Sequence, residues 1–586
     1  MFLVALNPEG VRVRCEVDNQ LKEDRSFTIL KGETFEPLDM VTLHDALWTD
    51  HLEAIRSVVG EFCFVHYSHD TGNLYFGTDR LGRESLFYYT DGERVVVSDD
   101  FWELAVHINA GLSDVDPQST KEFIGLHYPL FYGTIIRNLY FMPPATYACY
   151  SLRSRQISFT QYWDIDYCVD SSLSLSDVVE QMDVALDKTF KQIKMLNPQS
   201  TYGVGLSGGL DSRLIPHYAL KNNMPIRSFI IGESRPHKIC LSRDHSSARQ
   251  MADFYGIHHV EVEWNWDSLQ EKMLRDVRNF PMGASQFFIT VCNRVPPFDV
   301  LLTGASGMIV GAEIPSSIVS LSNDELVMAI VSHCSQIGKN SGFVSKAAKG
   351  IRYLIGSSRP IQRNAIDQLR DFFCDSEFGS VMDKFSTFVS AELAKGKSNL
   401  DVFQTYFTFF LGSRNKLGAF ESLQGLRKAY SIYASEVLDA TLKWPPEYLV
   451  DRLALRETIN RVTPEVAYVK AQDHRPPPGS SSEKKLTTRV LSMAEYIARG
   501  SGLNKGIWAR RRDYQEFSRA IMRKPNSLFD SLFNLDKMQP LVSNNPGLSQ
   551  KLVKTKVILD LIDCGGYKNF CASQSQLKGT LTIWTS

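Results

Sequence analysis

The sequence has no Cys-x-x-Cys pair among its ten cysteines, no long apolar run and almost no net charge. Scattered cysteines argue against a zinc site or a disulfide scaffold, and they predict a reducing, cytoplasmic location. A membrane-spanning helix needs about 18 consecutive apolar residues, so we expect no membrane partner. A formal net charge of −2 provides no general field for nucleic acid, so we expect no nucleic-acid partner.

The amino-terminal stretch, MFLVALNPEG, has neither the basic start nor the apolar length of a signal peptide. Hydrophobic residues make up 43% of the chain and charged residues 22%, which is the composition of an ordinary globular protein. A chain of 586 residues is too long for one hydrophobic core, so we expect two or three domains.

The most informative stretch is YGVGLSGGLDSRLIPH, residues 202–217. It begins as an apolar strand, turns through Ser207, Gly208 and Gly209, and continues as a helix from about Leu210. A glycine-rich turn before a helix presents free backbone N–H groups at the positive end of the helix dipole, which favours phosphate. Asp211 falls in the first helical turn, where its carboxylate can hold Mg²⁺ on the phosphates.

Other interpretations of the same stretch remain open. Gly203, Gly205 and Gly208 satisfy the dinucleotide pattern G-x-G-x-x-G, and Glu233 follows the next apolar run, so NAD binding ranks second. A glycine-rich turn without any ligand ranks third. The Gly-Lys-Ser at 396–398 is not a Walker A motif, because Ala391 stands where the first glycine is required, and we predict a surface helix end there.

Residues 1–168 contain short β-type runs separated by turns, which predicts a domain of layered sheets. Six motifs follow one another in this region: GEFCF (60–64), TDRLGR (78–83), LFYY (86–89), VSDD (97–100), MPPA (142–145) and YWD (162–164). Their order resembles the amino-terminal glutaminase domain of asparagine synthetases.

One departure from that family pattern changes the expected activity. In glutamine-dependent members a cysteine follows the initiator methionine, whereas Phe2 occupies this position here. The first cysteine, Cys15, is internal and has no free α-amino group to act as its base. We therefore predict no glutaminase activity and no ammonia channel, and we expect Asp79 and Arg80 to serve the scaffold.

From residue 177 to about 475, strands alternate with helices, which predicts a parallel, doubly wound sheet with ligands at the carboxyl ends of its strands. Asp177 is expected to cap the first helix. The string SGGLDS (207–212) resembles the pyrophosphate loop of the ATP pyrophosphatase superfamily, in the form found in asparagine synthetases. Residues 476–586 are expected to form a helical extension.

The resemblance to asparagine synthetases extends along this second half. The string SFIIG (228–232) resembles the strand whose backbone holds adenine, and an Asp-Ala-Ala-His pattern follows it at 244, 248, 252 and 259. His258 and His259 are neighbours on a strand and point to opposite faces, so we favour a structural role over a metal site.

The match weakens after the strand that ends near Thr303 and Gly304. Met308 stands where the family carries the second Mg²⁺ aspartate, and a thioether does not ligate Mg²⁺. Glu313 is the nearest substitute. The resemblance further implies a lysine that neutralises the transferring phosphate, and Lys470 is the best candidate, although its spacing from the preceding Pro-Glu is two residues short.

Together these patterns predict an ATP- and Mg²⁺-dependent ligase that adenylates a carboxylate, releases AMP and pyrophosphate, and closes an amide with a substrate amine. Relatives without the cysteine, such as β-lactam synthetases and lasso peptide cyclases, imply antibiotic or other natural-product biosynthesis. The alternatives are an inactive homologue acting as a scaffold and an ammonia-dependent asparagine synthetase-like enzyme. A partner biosynthetic protein and a homodimer are left open.

The predicted site residues follow from the same reasoning. Lys470 and Asp211 are the predicted catalytic residues, and Asp211 and Glu313 the predicted metal ligands. The predicted nucleotide-binding residues are Leu206, Ser207, Gly208, Gly209, Leu210, Asp211, Ser212, Ile231, Gly232, Thr303 and Gly304.

Overall fold

The computed structural model of the protein describes most of the chain. The described residues are 1–7, 10–17, 20–23, 26–34, 40–49, 51–126, 128–231, 239–262, 269–279, 297–304, 307–311, 314, 317–335, 363–412, 427–469, 512–533, 546–568 and 580–581. None of the helices in these ranges combines the length and apolar character that a bilayer crossing requires.

The strands belong to three sheets. In chain order they are β1 (Phe2–Asn7), β2 (Gly10–Cys15), β3 (Gln20–Glu23), β4 (Ser26–Thr34), β5 (Gly60–Ser68), β6 (Asn73–Thr78), β7 (Phe87–Thr90), β8 (Val95–Ser98), β9 (Leu139–Phe141), β10 (Thr146–Ser151), β11 (Gln156–Gln161), β12 (Tyr202–Gly205), β13 (Ile226–Ile231), β14 (His259–Val262), β15 (Val300–Thr303), β16 (Arg427–Tyr430) and β17 (Thr580–Leu581).

Helices cover the sheets and fill much of the second half. In chain order they are α1 (Met40–Thr49), α2 (His51–Ser57), α3 (Phe101–His107), α4 (Pro117–Gly125), α5 (Leu175–Leu196), α6 (Asp211–Lys221), α7 (Ile239–Tyr255), α8 (Leu269–Asn279), α9 (Asn323–Cys334), α10 (Arg363–Phe373), α11 (Asp375–Ala394), α12 (Asn399–Thr405), α13 (Ser435–Thr441), α14 (Pro446–Leu449), α15 (Leu453–Val462), α16 (Arg512–Met522), α17 (Ser527–Leu532) and α18 (Pro546–Asp563).

The amino-terminal half is a sandwich of two six-stranded antiparallel sheets, in the orders β17-β2-β1-β8-β7-β9 and β11-β10-β6-β5-β4-β3. Successive side chains of a strand point to opposite faces, so β1 contributes to two cores. Phe2, Val4 and Leu6 pack between the sheets, whereas Leu3 and Ala5 face the main core that includes the helices. The predicted layered-sheet domain is confirmed.

The second half is built on a five-stranded sheet in the order β14-β13-β12-β15-β16, and the paired strands run parallel. The chain moves outward from β12 to β13 and β14, and then returns to place β15 on the other side of β12. The predicted parallel, doubly wound sheet is therefore confirmed, with its topological switch point between β12 and β15.

One local prediction was wrong, and a second was right for the backbone but wrong for one side chain. The cap of α5 is Ser174, and Asp177 is the third residue of that helix. The Asp177 carboxylate accepts a hydrogen bond from the Ser174 N–H over 2.8 Å. Residues 396–398 do lie at a helix end, between α11 and Ser398, the cap of α12, and Gly396 and Ser398 are exposed as predicted. Lys397 departs from that prediction. Its side chain is only 7% exposed, and its Nζ lies 2.7 Å from carboxylate oxygens of both Asp164 and Glu392, so burial between opposite charges holds it inward.

The carboxyl-terminal region contributes more than helices. Helix α18 packs against α4 and α8, and β17 pairs antiparallel with β2 at the edge of an amino-terminal sheet. Lys551, on α18, donates a 3.0 Å hydrogen bond to the carbonyl of Phe123 on α4. This region therefore joins the two halves of the protein.

Candidate nucleotide site

The candidate site lies at the carboxyl ends of β12 and β15. Because β13 and β15 both pair with β12, on opposite sides, the loops that leave the ends of β12 and β15 diverge and form a crevice. The loop that follows β12 is the Ser207–Leu210 turn, and α6 begins directly after it at Asp211. The sequence predicted this strand–loop–helix unit at these residues.

The loop after β12 is held in shape by its own serines. Ser212 Oγ donates to the carbonyl oxygens of Ser207 and Gly209, over 2.7 and 3.0 Å. Ser207 Oγ accepts from the Gly209 N–H over 3.1 Å. Leu210, which precedes α6, makes no side-chain cap. A helix start without a side-chain cap leaves its N–H groups for a ligand, so the turn is preorganised for an anion.

Asp211 lies where the two loops meet. A Cβ built on Gly304 would come within 2.6 Å of the Asp211 Cβ, so this close approach needs a glycine at the end of β15. The Asp211 carboxylate is partly exposed, and Arg452 Nη1 lies 3.4 Å from each of its oxygens. The predicted residues Asp211 and Gly304 are therefore neighbours in space, and a guanidinium stands beside them.

Arg213 fixes the loop to a distant segment. Its side chain is fully buried, and its Nη2 donates to the carbonyls of Gly208 and Val469, over 3.2 and 2.8 Å. Its Nη1 donates to the carbonyl of Val466. The short helical turn Val466–Tyr468 and Val469 are thereby held against the phosphate loop.

The remaining predicted nucleotide residues extend along the same edge. Leu206 donates its N–H to the carbonyl of Phe229 over 2.9 Å. Ile231 is the last residue of β13 and is half-buried. Thr303 ends β15, and its carbonyl accepts from the backbone N–H and the Oγ of Ser431, both over 3.1 Å.

Three predicted residues, Gly232, Glu313 and Lys470, lie outside the described residues, so their predicted roles stay predictions. Met308 falls in the short helical turn Gly307–Val310 that follows β15. His259 Nδ1 lies 2.9 Å from the Ser228 hydroxyl, and burial lowers the pKa of this histidine. That hydrogen bond between β13 and β14 fits the structural role predicted for His259.

In the amino-terminal half, Asp79 organises its own turn. Its Oδ2 accepts from the N–H groups of Phe62 and Arg83, over 3.2 and 2.7 Å, and its Oδ1 accepts from the Leu81 N–H over 2.9 Å. Arg80 pairs with Asp439 of the second half. These contacts fit the scaffold roles predicted for Asp79 and Arg80.

Sequence reasoning missed Arg213 and Arg452. Arg213 directly follows the loop motif, so an arginine in the first turn of a phosphate-loop helix was a usable signal. The contact of Arg452 with Asp211 could not be predicted, because it involves a left-handed backbone conformation, φ 54° and ψ 43°, that a non-glycine residue rarely adopts. The two residues are also 241 positions apart in the sequence, so no local pattern contains both.

The chemistry of Asp211 fits a Mg²⁺ ligand, since Mg²⁺ prefers carboxylate oxygen and is bound through one or two carboxylates together with phosphates. Within the described part of the chain, no group of three or more His, Cys, Asp or Glu side chains forms a ready-made metal cluster. A Mg²⁺ at this site would accordingly depend on Asp211 and on the phosphates of the nucleotide.

The parallel sheet, with a glycine-rich strand–loop–helix unit at its switch point, has an architecture of the α/β class. More particularly, residues 193–307 match the family model described as Asparagine synthase. The matched span contains the loop, Asp211 and the end of β15. This match supports an ATP-dependent, amide-forming ligase in general. No curated protein matches the chain.

Two solved structures show weak similarity. One is the glutamine phosphoribosylpyrophosphate amidotransferase of B. subtilis in complex with ADP and GMP, with 8% identity over 45% of this chain and 74% of that chain, at a TM-score of 0.19. The other is NMN synthetase from Francisella tularensis, with 11% identity over 42% of this chain and 96% of that chain, at a TM-score of 0.16. We draw no function from either, because both TM-scores are low.

Proposed function

We propose that this protein is an ATP-dependent ligase that adenylates a substrate carboxylate, releases pyrophosphate and AMP, and forms an amide with a substrate amine. The observation that carries the proposal is the preformed Ser207–Leu210 loop at the switch point, with Asp211 against Gly304 at the same place. A nucleoside triphosphate needs an anion-binding turn for its phosphates, and its metal needs a carboxylate; this crevice has both.

The loop would receive the pyrophosphate. Ser212 already uses its hydroxyl to hold the loop carbonyls, so the turn needs little reorganisation when the leaving group forms. Asp211 would hold Mg²⁺ on the phosphates. When bound, the metal would offset the negative charge that develops on the departing pyrophosphate.

The proposed role of Lys470 is supported by its neighbour Val469. One nitrogen of Arg213 donates to the carbonyls of both Gly208 and Val469, so the loop and Val469 meet on a single guanidinium. Consecutive Cα atoms are about 3.8 Å apart, so Lys470 follows within one residue of that anchor. We propose that the Lys470 ammonium group neutralises phosphates bound in the loop.

The proposed reaction has two steps. A substrate carboxylate oxygen attacks the α-phosphorus of ATP, and the bond from that phosphorus to the β-phosphate oxygen breaks. The substrate amine then attacks the acyl carbon, AMP leaves, and the amine gives up a proton. An amine on the same molecule gains from effective molarity, so we propose ring closure to a lactam or macrolactam, as in antibiotic or other natural-product biosynthesis.

Thermal unfolding with and without Mg²⁺-ATP tests the site. A ligand at about 100 times its dissociation constant adds roughly 2.7 kcal/mol to stability, and we expect this gain in the wild type. We expect Asp211→Asn to lose most of it. Asp367→Asn on α10 is the matched control, because that carboxylate is exposed and lies on a helix remote in sequence from the loop.

The same preparations should then be offered pairs of carboxylates and amines, with release of AMP and pyrophosphate measured. Stabilisation without product would leave a nucleotide site whose substrate was not among those offered. Equal stabilisation in Asp211→Asn would place the nucleotide elsewhere and contradict the proposal.

A scaffold function is the second candidate, and two observations favour it. Met308 cannot replace a hard metal ligand, and a guanidinium nitrogen of Arg452 already lies 3.4 Å from the Asp211 carboxylate. A wild-type protein that gains no stability at millimolar Mg²⁺-ATP, and releases no pyrophosphate, would make this candidate the better one.

A further inference from the structure

The pair formed by Arg452 and Asp211 is loose. A single guanidinium nitrogen lies 3.4 Å from both carboxylate oxygens. Strong pairs between arginine and carboxylate are shorter, about 2.7–2.9 Å, and commonly use two nitrogens in parallel. The two side chains are 20% and 23% exposed, so a ligand entering the crevice can reach them. This geometry holds the guanidinium in place without a tight bidentate bond.

Arg452 occupies this position in a strained backbone conformation. The residue adopts φ 54° and ψ 43° between the short helical turn Val450–Arg452 and the helix α15. A non-glycine residue in this left-handed region is strained, and such residues concentrate at functional sites. The strained geometry directs the arginine to the phosphate loop, and glycine at 452 would adopt it more easily.

A second contact holds the strained segment against the crevice. Gly311, after β15, has φ +88°, and a Cβ built on it would lie 1.9 Å from the carbonyl oxygen of Leu449. The loop after β15 thus presses on the backbone three residues before Arg452. The same loop region begins at Gly304, which touches Asp211. Arg452 is therefore fixed at the junction of the two loops that form the proposed nucleotide site.

The charges predict opposite effects on two ligands. The guanidinium of Arg452 carries a positive charge, so it repels a metal ion that approaches Asp211 without phosphates. A bound triphosphate or pyrophosphate carries several negative charges, and the planar guanidinium of an arginine can bind two of its oxygens at once, which a lysine does not do in the same fixed geometry. The metal needs the Asp211 carboxylate. When Arg452 releases that carboxylate, its guanidinium can donate hydrogen bonds to the phosphates instead.

We propose that Arg452 is a phosphate-binding residue that holds Asp211 in the nucleotide-free protein and passes to phosphate oxygens when Mg²⁺ takes the carboxylate. This inference rests on the proposed nucleotide function of the same crevice. It assigns to Arg452 two tasks: it keeps the metal from binding before the nucleotide, and it binds the pyrophosphate end of the substrate.

The test compares two probes on the intact chain. Inorganic pyrophosphate with Mg²⁺ is titrated calorimetrically, and Mn²⁺ alone is titrated by its magnetic resonance signal. In Arg452→Gln we expect pyrophosphate affinity to fall about tenfold or more, which is the usual loss for a hydrogen bond to a charged group. We expect Mn²⁺ affinity to rise roughly threefold to tenfold, because a positive charge beside the metal ligand is gone.

Two variants serve as controls. Arg461→Gln removes a positive charge from the same helix, where Arg461 faces Glu180 at 4.0 Å, and it should leave both affinities unchanged. Arg452→Lys keeps the charge and loses the planar fork, so pyrophosphate affinity should lie between those of the wild type and Arg452→Gln.

The outcomes separate the inference from the proposed function. If the wild type binds Mg²⁺-pyrophosphate and Arg452→Gln binds it equally well, the inference is overturned and the nucleotide site stands. If Mn²⁺ affinity does not rise in Arg452→Gln, the blocking of Asp211 is overturned. If the folded wild type binds neither pyrophosphate nor ATP, the proposed function fails and the inference fails with it.

Discussion

Arg452 combines backbone strain with a long ion pair, and these two properties can be separated by choosing the replacement residue. The left-handed conformation is free of strain only for glycine. Arg452→Gly and Arg452→Gln both remove the contact to Asp211, so their difference in stability reports the backbone alone. We expect Arg452→Gly to be more stable than Arg452→Gln by about 1 kcal/mol in urea unfolding. Equal stabilities would mean that the backbone relaxes away from this conformation in one of the variants.

Glu61 gives a pH-dependent prediction at the residue scale. Burial raises the pKa of Glu61 from 4.5 to about 8, and Arg83, whose Nη1 lies 3.6 Å from the carboxylate, opposes the shift. The folded protein therefore keeps this proton between about pH 4.5 and pH 8, whereas the unfolded chain releases it. The contribution of Glu61 to stability is complete below pH 4.5 and is lost as the pH rises through 8.

Glu61→Gln imitates the protonated carboxyl at every pH. We expect the stability of the wild type relative to this variant to fall steadily from pH 5 to pH 8, measured by urea unfolding at fixed ionic strength. Glu53→Gln on α2 is a suitable control because that side chain is exposed. A constant difference between wild type and Glu61→Gln would mean that Glu61 is ionised in the folded protein throughout this range.

At the level of single residues, the sequence predicted the loop residues themselves better than the contacts that buried side chains make with distant segments. Ser207, Asp211 and Ser212 follow from a local pattern, because a strand, a glycine turn and a helix start are fixed by neighbours in sequence. Arg213 and Lys397 depend on carbonyls and carboxylates from distant segments, Val469 and Asp164 among them. No local pattern contains that information.

At the scale of elements, α8 and α18 are joined by a fully buried ion pair. Lys554 Nζ lies 3.0 Å from Asp276 Oδ2, and neither side chain is exposed. Burial lowers the pKa of Lys554, and the charge of Asp276 opposes that shift. Removing one partner of a buried pair leaves the other charge uncompensated, which is far more costly than removing both.

We expect Lys554→Met to lower the free energy of unfolding by about 3–5 kcal/mol. The double variant Lys554→Met/Asp276→Leu should recover most of that loss, because two apolar side chains of similar volume replace the two charges. The double-mutant cycle, measured by urea unfolding, isolates the coupling. Additive effects of the two single changes would show that the two charges do not interact in the folded protein.

The elements of the parallel sheet and of the carboxyl-terminal extension differ in how well the sequence predicted them. Strands β12, β13, β14 and β15 lie where the sequence predicted strands, since apolar runs with glycine at their ends have few alternatives. Strand β16 of the same sheet was not predicted. The carboxyl-terminal extension was predicted as helical, and α16, α17 and α18 agree with this prediction. Strand β17 was not predicted, because two residues paired with a distant edge carry no periodic signal.

On the scale of the whole molecule, the two halves are fastened at several points. Arg278 on α8 donates to Asp100 over 2.9 Å, and Lys384 on α11 pairs with the buried Glu122 at 2.7 Å. Trp102 is fully buried, and its indole N–H donates to the carbonyl of Val277 over 3.1 Å. The length of the chain predicted more than one domain, but it did not predict these contacts between the halves, since each contact joins residues far apart in the chain.

We therefore expect calorimetry to record one cooperative unfolding transition for the whole chain, although its length suggests more than one domain. Trp102→Ala should lower the stability of both halves together by about 3–5 kcal/mol, the usual loss for a buried tryptophan. Fluorescence and circular dichroism should give coincident curves. Two resolved transitions in the wild type would show that the halves unfold independently.

The pairing of β17 with β2 has a consequence for how copies of this protein behave in concentrated solution. An uncovered strand edge is a template for a strand of another chain, and it promotes aggregation. Thr580 and Leu581 cover the edge of β2 opposite Arg14 and Val13. Cleavage that removed this short strand would uncover the edge of β2, where the charged side chains of Arg12 and Arg14 would oppose pairing with a strand of another copy.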